Sequence, residues 1–142
     1  MGIKKQEFYE GAALHMLARK GQIASIRYDW PFFQFNGVIS VLLKYNTKSR
    51  SPWAFTITPE EQTLLRSRAT HSRAALALVC GADGVVALSY DSFLSVASLR
   101  DRAIHISCYR DHGEHYEVNG PDGRLHRKIS PSNWPKILEG QE

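Results

Sequence analysis

The spacing of apolar and polar positions predicts three helices. Residues 4–19 scatter apolar side chains among polar ones without a β-branched residue, and Gly21 follows them, which is typical of an amphipathic helix with a glycine at its end. The stretch TPEE at 58–61 is a capping box with proline at the first helical position, and it predicts a helix through about Arg68. Asp91 caps a short third helix in DSFLSVAS.

Alternating and continuous apolar runs predict the strands. FFQF and VISVLLKY are joined by Asn36-Gly37, the preferred dipeptide of a type I′ hairpin turn. The second of these runs is apolar at nearly every position, so we expect a central strand that is covered on both faces. A strand at IASIRY precedes the hairpin, and strands at AFTIT, AALALVC and GVVALSY follow it.

The last part of the chain has a different pattern. AIHISCYR, HYEV and RLHRKI are typical of antiparallel strands separated by turns, and SPSNWPKIL of a closing turn or short helix. The whole pattern predicts one α/β domain, residues 1–142, with a mixed central β-sheet flanked by helices in residues 1–98. Residues 99–142 add a C-terminal antiparallel β extension, a β-hairpin tail with its closing turn.

Composition limits the class of protein. A hydrophobic content of 43% in 142 residues suffices for one ordinary core. No run reaches the roughly 18 to 20 apolar residues of a membrane span, and MGIKKQEFYE is too charged for a secretory signal, so we expect a cytoplasmic protein without a membrane partner. Cys80 and Cys108 lie inside apolar runs without ligand spacing, which predicts buried free thiols rather than a disulfide or zinc site.

Charge is distributed unevenly along the chain. Residues 1–73 hold 11 Lys and Arg and 5 Asp and Glu, a net charge of +6, whereas residues 74–142 hold 7 and 9, a net charge of −2. A basic first half is compatible with a polyanionic partner. A solvated basic surface without a partner is the alternative.

The element order and three local motifs resemble the PD-(D/E)XK nuclease family, in particular archaeal Holliday junction resolvases. Glu10 precedes Gly21 by eleven residues, as a helical glutamate precedes a glycine in that family, and the central strand ends at Lys44 with Thr47-Lys48 next, as in its acidic-x-Lys motif. The resemblance covers residues 4–90. It implies a restriction-endonuclease-like architecture, a nucleic-acid partner with DNA favoured over RNA, and a homodimer.

The chain departs from that family where the metal would bind. Leu42 stands at the position of the motif's acidic residue, and the preceding strand begins with PFFQ, so the nearest acid is Asp29. Mg²⁺ requires carboxylate oxygens, which leucine does not supply. We therefore predict no metal site and no cofactor. A nuclease would need an atypical Mg²⁺ site built from Glu10, Asp29 and Lys44.

Basic residues supply the candidate contacts to nucleic acid. Lys44 either binds a phosphate or extends its ammonium group to solvent from a buried strand. Lys48 and Arg50 lie beside Trp53, a composition that suits phosphate contacts and base stacking, although Trp53 could equally cover the core. Arg127 and Lys128 could bind nucleic acid or protect a strand edge from aggregation.

These observations leave three hypotheses. The leading one is a nucleic-acid-binding or interaction module with a nuclease-like fold and a degenerate metal site that does not catalyse. The first alternative is the Mg²⁺-dependent endonuclease with the atypical site. The second is a protein-binding or inhibitory partner that uses exposed aromatic residues such as Trp30, Phe32 or Trp134.

Overall fold

The computed structural model describes residues 2–20, 23 and 25–139; Gly21 and Ala24, which belong to the predicted helix end and first strand, lie outside them. The elements follow in the order α1 (Lys5–Lys20), β1 (Ile26–Asp29), β2 (Phe32–Phe35), β3 (Ile39–Asn46), β4 (Trp53–Ile57), α2 (Pro59–His71), β5 (Arg73–Cys80), β6 (Gly84–Ser89), α3 (Tyr90–Val96), β7 (Ile104–Tyr109), β8 (Glu117–Gly120), β9 (Gly123–Arg124), α4 (Asn133–Lys136) and a 3₁₀ turn (Ile137–Glu139).

Sheet A contains five strands in the order β1-β2-β3-β5-β6. All neighbours are antiparallel except β3 and β5, which are parallel, so the sheet is mixed and β3 lies at its centre, as predicted. The β2–β3 hairpin is confirmed. Asn36 and Gly37 have φ of 54° and 67°, and Val38 N donates to Phe35 O at 3.0 Å, as a type I′ turn requires.

Both faces of sheet A are covered along its central strands β3 and β5, where side chains alternate between two cores, whereas the edge strand β1 is mostly exposed. Leu42 faces the first core, which lies between sheet A and a layer formed by α2, α3 and sheet B. Val41 faces the second core, which α1 and α4 close with Ala13, Leu17 and Trp134. The prediction of an α/β fold with a central strand covered on both faces is confirmed.

Sheet B is antiparallel in the order β4-β7-β8-β9 and connects distant parts of the chain. Trp53 in β4 pairs with Cys108 in β7, so the C-terminal strands pack in the first core. The predicted strand at 124–129 is wrong beyond its first residue: only Gly123–Arg124 forms β9, and Ile129 adds one bridge to Tyr116. Only Leu125 and Ile129 of those six residues are apolar, and Arg127 lies between them on the same face of an extended chain, so the segment lacks the continuous apolar face of a buried strand.

The helix boundaries follow from capping. The capping box of α2 is confirmed, with Glu61 N donating to Thr58 Oγ1 at 3.1 Å and Thr58 N donating to Glu61 Oε1 at 2.9 Å. α2 continues past the predicted Arg68 to His71. The cap of α3 is Ser89 rather than Asp91, which lies in the first turn.

The two cysteines are buried free thiols, as predicted. A hydrogen bond with Cys108 and then burial raise the pKa of the Cys80 thiol far above its ordinary range. Within the residues that the structure describes, no helix has the length and hydropathy of a membrane span.

Candidate nucleic-acid interface

A pocket of about 230 Å³ opens at the carboxyl end of β3. β3 pairs with β5 as far as Asn46 but with β2 only as far as Leu42, so on the β2 side its last residues lie beside the β1–β2 turn. We call this cavity the β3-end pocket. It is lined by Gln6, Tyr28, Trp30, Pro31, Leu42, Leu43, Lys44, Tyr45 and Glu61.

Lys44 forms an ion pair with Glu61 inside this pocket. Its Nζ donates to Oε1 at 3.0 Å and to Oε2 at 2.9 Å, and the two side chains are 23% and 17% exposed. The ammonium charge is therefore compensated, which corresponds to neither interpretation that the sequence offered for Lys44. The capping box already identified Glu61 in the sequence. Its pairing with Lys44 follows from the packing of α2 on the face of sheet A to which Lys44 belongs, which the sequence pattern did not predict.

Asp29 is held by a different residue of α2. Its Oδ2 accepts from Arg68 NH2 at 2.6 Å, and the guanidinium lies 4.9 Å from the ring centroid of Phe32. Arg68 follows Glu61 by seven residues, which is roughly 10 Å along a helix. Asp29 and Lys44 thus share a face of sheet A but are tied to separate turns of α2.

Glu10 lies on α1, which packs on the opposite face of sheet A. Its carboxylate accepts from Gln6 Nε2 at 2.9 Å. Burial raises its pKa, the hydrogen bond from Gln6 lowers it, and the charge of Glu7 raises it again. The residues predicted for a nuclease site therefore have three different partners. Within the described ranges, no group of three or more His, Cys, Asp and Glu residues could hold a metal ion.

Aromatic rings surround the β3-end pocket and are open to solvent. Tyr28, Trp30 and Tyr45 are 56%, 62% and 37% exposed. Tyr45 stacks on Tyr9 with centroids 5.2 Å apart and planes within 9°, and Tyr28 packs against Phe33 at 5.0 Å. The prediction that Trp30 is exposed is confirmed.

Three other aromatic residues that the sequence suggested as contacts are buried. Phe32 and Trp134 are 0% and 1% exposed, so they offer no surface to a protein partner and that prediction is wrong. Trp53 is 2% exposed and its Nε1 donates to Lys48 O at 2.9 Å, so it covers the core and offers no ring face for stacking. The apolar alternation of β4 points its ring inward.

The β3–β4 loop presents Lys48 and Arg50 to solvent. Neither side chain forms an ion pair within the described part of the chain. The loop backbone is held in place: Lys48 N donates to Asn46 Oδ1 at 2.9 Å, and Gly81 packs so closely against Lys48 O that a Cβ there would collide with it. The predicted contact residues therefore lie on a fixed support.

A series of contacts connects this loop with the C-terminal segment. Ser51 Oγ donates to Arg110 O at 3.2 Å, and Arg110 NH2 lies 3.0 Å from Asp83 Oδ2. Tyr116 donates to the same oxygen at 2.6 Å and pairs with Ile129. Burial, and then the hydrogen bond to Asp83, raise the pKa of the Tyr116 hydroxyl well above its usual value.

The C-terminal segment forms a second pocket of about 190 Å³. We call it the C-terminal basic pocket; it is lined by His115, Arg127, Lys128, Ile129, Ser130, Ser132, Asn133 and Lys136. Lys128 lies 3.4 Å from Glu114, whereas Arg127 and Lys136 form no ion pair among the residues described. The structure thus brings the predicted Arg127 and Lys128 together with Lys136, which sequence reasoning missed because it lies in another element.

Comparisons with known proteins give no family. No protein-family model, curated protein or solved structure matches the chain. What stands is the α/β architecture itself, a mixed five-stranded sheet with a second, antiparallel sheet of four strands.

Proposed function

We propose that the chain is a nucleic-acid-binding module with a restriction-endonuclease-like architecture and a degenerate metal site, and that it does not cleave its ligand. The observation that carries the proposal is that two sets of exposed basic residues have no acidic partners among the described residues. Lys48 and Arg50 form one set, Arg127 and Lys136 the other. The contacts through Arg110, Asp83 and Tyr116 join the two segments of the chain that carry these sets.

The order of elements supports the architecture. A helix, three antiparallel strands, a second helix and a parallel strand beside the third occur in the order that the resemblance requires, with α1 and α2 on opposite faces of sheet A. β4 and the rest of sheet B are additions to that order. The homodimer, the preference for DNA over RNA and the cytoplasmic location stay predictions.

Phosphate contacts are the role that suits these cations. Exposed lysine and arginine side chains without counter-charges neutralise backbone phosphates and release condensed counterions. Lys44 differs from them because Glu61 compensates its charge. We therefore assign backbone contacts to Lys48, Arg50, Arg127 and Lys136, and give Lys44 no independent phosphate. Lys128 joins them, because its pair with Glu114 is exposed to solvent and therefore weak.

The placement of the acids supports the absence of cleavage. A metal-dependent hydrolase needs carboxylates that converge on one ion. Asp29 and Glu61 are each taken up by a basic residue of the chain, and Glu10 accepts from Gln6. Leu42, at the position of the motif's acid, is 1% exposed in the first core.

The experiment is a titration of the protein against labelled duplex, single-stranded and four-way-junction DNA at several salt concentrations, with Mg²⁺ and then with EDTA. We expect binding that weakens with salt and no cleavage products. The Lys48→Ala/Arg50→Ala variant should reduce the slope of log affinity against log salt by roughly 1.8 on duplex, about 0.9 for each lost phosphate contact.

The matched control is Arg19→Ala/Arg102→Ala, which removes the same charge from two exposed positions outside the proposed surface. It should leave the slope nearly unchanged. Equal slopes for the two double variants, or no salt-sensitive binding to any of the three DNAs, would contradict the proposal. Products that disappear in EDTA would instead establish the endonuclease alternative.

A further inference from the structure

The proposed phosphate contacts leave the β3-end pocket without a role. It combines three exposed aromatic rings with a half-buried ion pair, and single exposed apolar residues are common whereas several around one concavity are not. A molecule that fits this pocket would offer both a flat apolar face and hydrogen-bonding groups.

We propose that the β3-end pocket takes up one unpaired nucleobase, stacked on Trp30 and hydrogen-bonded by the Lys44–Glu61 pair. The proposal rests on the function proposed above and extends it from backbone phosphates to bases. It makes the preferred ligand a single strand, or a structure with an unpaired nucleotide.

Stacking is the first physical reason. Aromatic side chains bind unpaired bases through their ring faces in proteins that hold single strands, and this contact tolerates any base. Trp30 has the most exposed ring of the pocket and lies in the turn between β1 and β2, whereas the ring of Tyr28 packs on Phe33 on the α1 face of sheet A. A base inside a duplex is already stacked on both sides and cannot reach these rings.

The ion pair supplies the hydrogen bonds. An ammonium group has three N–H donors, of which Lys44 uses two on Glu61, so one remains. Among the described residues, Glu61 Oε1 accepts from both Lys44 and Thr58 N, whereas Oε2 accepts from Lys44 alone, so Oε2 keeps one acceptor site. A donor and an acceptor thus lie side by side, and the Watson–Crick edge of a base presents neighbouring groups of both kinds.

Charge argues for a base over a phosphate in this pocket. The pair has no net charge, and the carboxylate would repel an anion at close range. Lys48, which has no acidic partner in the described part of the chain, follows Lys44 by four residues, which is within about 13 Å at the rise of a strand. A single strand whose phosphates contact Lys48 and Arg50 can therefore place a neighbouring base in the pocket.

The three tryptophans make the test direct. Trp30 is 62% exposed whereas Trp53 and Trp134 are 2% and 1% exposed, so quenching of the solvent-exposed tryptophan emission by a stacked base reports on Trp30. The probes are an oligothymidylate of about ten nucleotides, a range typical for single-strand sites, an abasic oligomer of equal length and a blunt duplex. We expect quenching by the oligothymidylate alone and about 5- to 100-fold weaker binding of the abasic oligomer.

The variants separate stacking from general damage. Trp30→Ala should weaken oligothymidylate binding by a similar factor and leave duplex binding unchanged, and Trp30→Phe should recover much of the loss. Phe8→Ala is the matched control, because Phe8 is 61% exposed and is not among the residues lining the pocket. It should leave both affinities unchanged.

The failures of the two proposals are distinguishable. If the oligothymidylate binds with a salt dependence that Lys48→Ala/Arg50→Ala reduces, but leaves Trp30 emission unchanged and binds Trp30→Ala equally well, the pocket proposal is wrong and the proposed function stands. If no nucleic acid binds at any salt concentration, both are wrong. Quenching by an aromatic peptide but not by the oligothymidylate would assign the pocket to a protein partner and overturn the nucleobase.

Discussion

The β3-end pocket and the β3–β4 loop combine the same residue types with opposite exposure. In the pocket, the lysine is neutralised by Glu61 and the tryptophan is open to solvent. In the loop, Lys48 has no acidic partner among the residues that the structure describes, and Trp53 is buried beneath it, with its indole nitrogen donating to the Lys48 carbonyl. A basic residue next to an aromatic one therefore does not indicate which of the two meets a ligand. The fold decides that by placing one ring in a core and the other at a turn.

The largest expected difference concerns the two tryptophans. Trp53→Ala should lower the free energy of unfolding by about 3–5 kcal/mol, because it leaves a large cavity in the first core. Trp30→Ala should change it by about 0.5 kcal/mol or less, since the ring is mostly solvated. Urea denaturation of both variants measures the difference. Equal losses would mean that the rings do not differ in burial.

The second prediction concerns the support of the loop. Gly81→Ala should lower the free energy of unfolding by more than about 2 kcal/mol, because φ at Gly81 is +55° and the added Cβ would collide with the Lys48 carbonyl. Gly113→Ala is the control, with φ of +79° but nothing within 4 Å, and should cost about 1–2 kcal/mol. Thermal or urea unfolding compares them. A Gly81→Ala loss no larger than the control would show that the loop is not held by this contact.

The third prediction isolates the ion pair of the pocket. Glu61→Gln retains an acceptor for Thr58 N but leaves the half-buried Lys44 without a counter-charge, so the free energy of unfolding should fall by about 1–2 kcal/mol. Glu60→Gln removes a neighbouring exposed carboxylate and should cost about 0.5 kcal/mol through the helix dipole. Denaturation curves that coincide for the two variants would show that the pair contributes nothing to stability.

The smallest expected effect concerns the carboxylate beside the pocket. Burial raises the pKa of Glu10, so the folded state holds this proton more tightly than the unfolded chain and loses stability as the pH rises above the ordinary value of 4.5. Glu10→Gln should therefore raise the free energy of unfolding at neutral pH, by less than about 1 kcal/mol because the site is partly solvated. The gain should vanish well below pH 4.5. With Glu60→Gln as reference, a gain that is equal at both pH values would contradict this cause.

Local chemistry explains which parts of the fold were predictable. Asn36-Gly37 strongly favours a turn with positive φ, whatever its surroundings. Thr58 and Glu61 satisfy backbone N–H groups at the start of α2 through hydrogen bonds within four residues. The apolar run of β3 predicted a strand covered on both faces, because apolar side chains at nearly every position leave neither face suited to contact with water. These signals depend on neighbours in sequence, so they survive without tertiary information.

The remaining features depend on contacts between distant residues. The alternation in β4 places Trp53 on the apolar face of its strand, but the core that this face enters depends on the pairing of β4 with β7, which no local pattern predicts. The pairing of Lys44 with Glu61 joins β3 to α2, and β4 lies between these two elements in the sequence. Serine and aspartate are both good N-caps, so the sequence did not decide between Ser89 and Asp91. Ser89 is the cap because α3 begins directly after β6 ends at Ser89. Phe32 and Trp134 are buried, unlike Trp30, because the fold places Phe32 in the first core and Trp134 in the second.

The arrangement of sheet B has a consequence for how the protein folds during synthesis. β4 precedes α2, yet its partner β7 comes after α3, and Ser51 and Arg110 meet across 59 residues. The first core therefore stays open on one side until the C-terminal strands leave the ribosome, and contacts between such distant residues form slowly. During that interval, β5 and the ring of Trp53 are surfaces on which a chaperone can act, and a chain truncated before β7 keeps them exposed permanently.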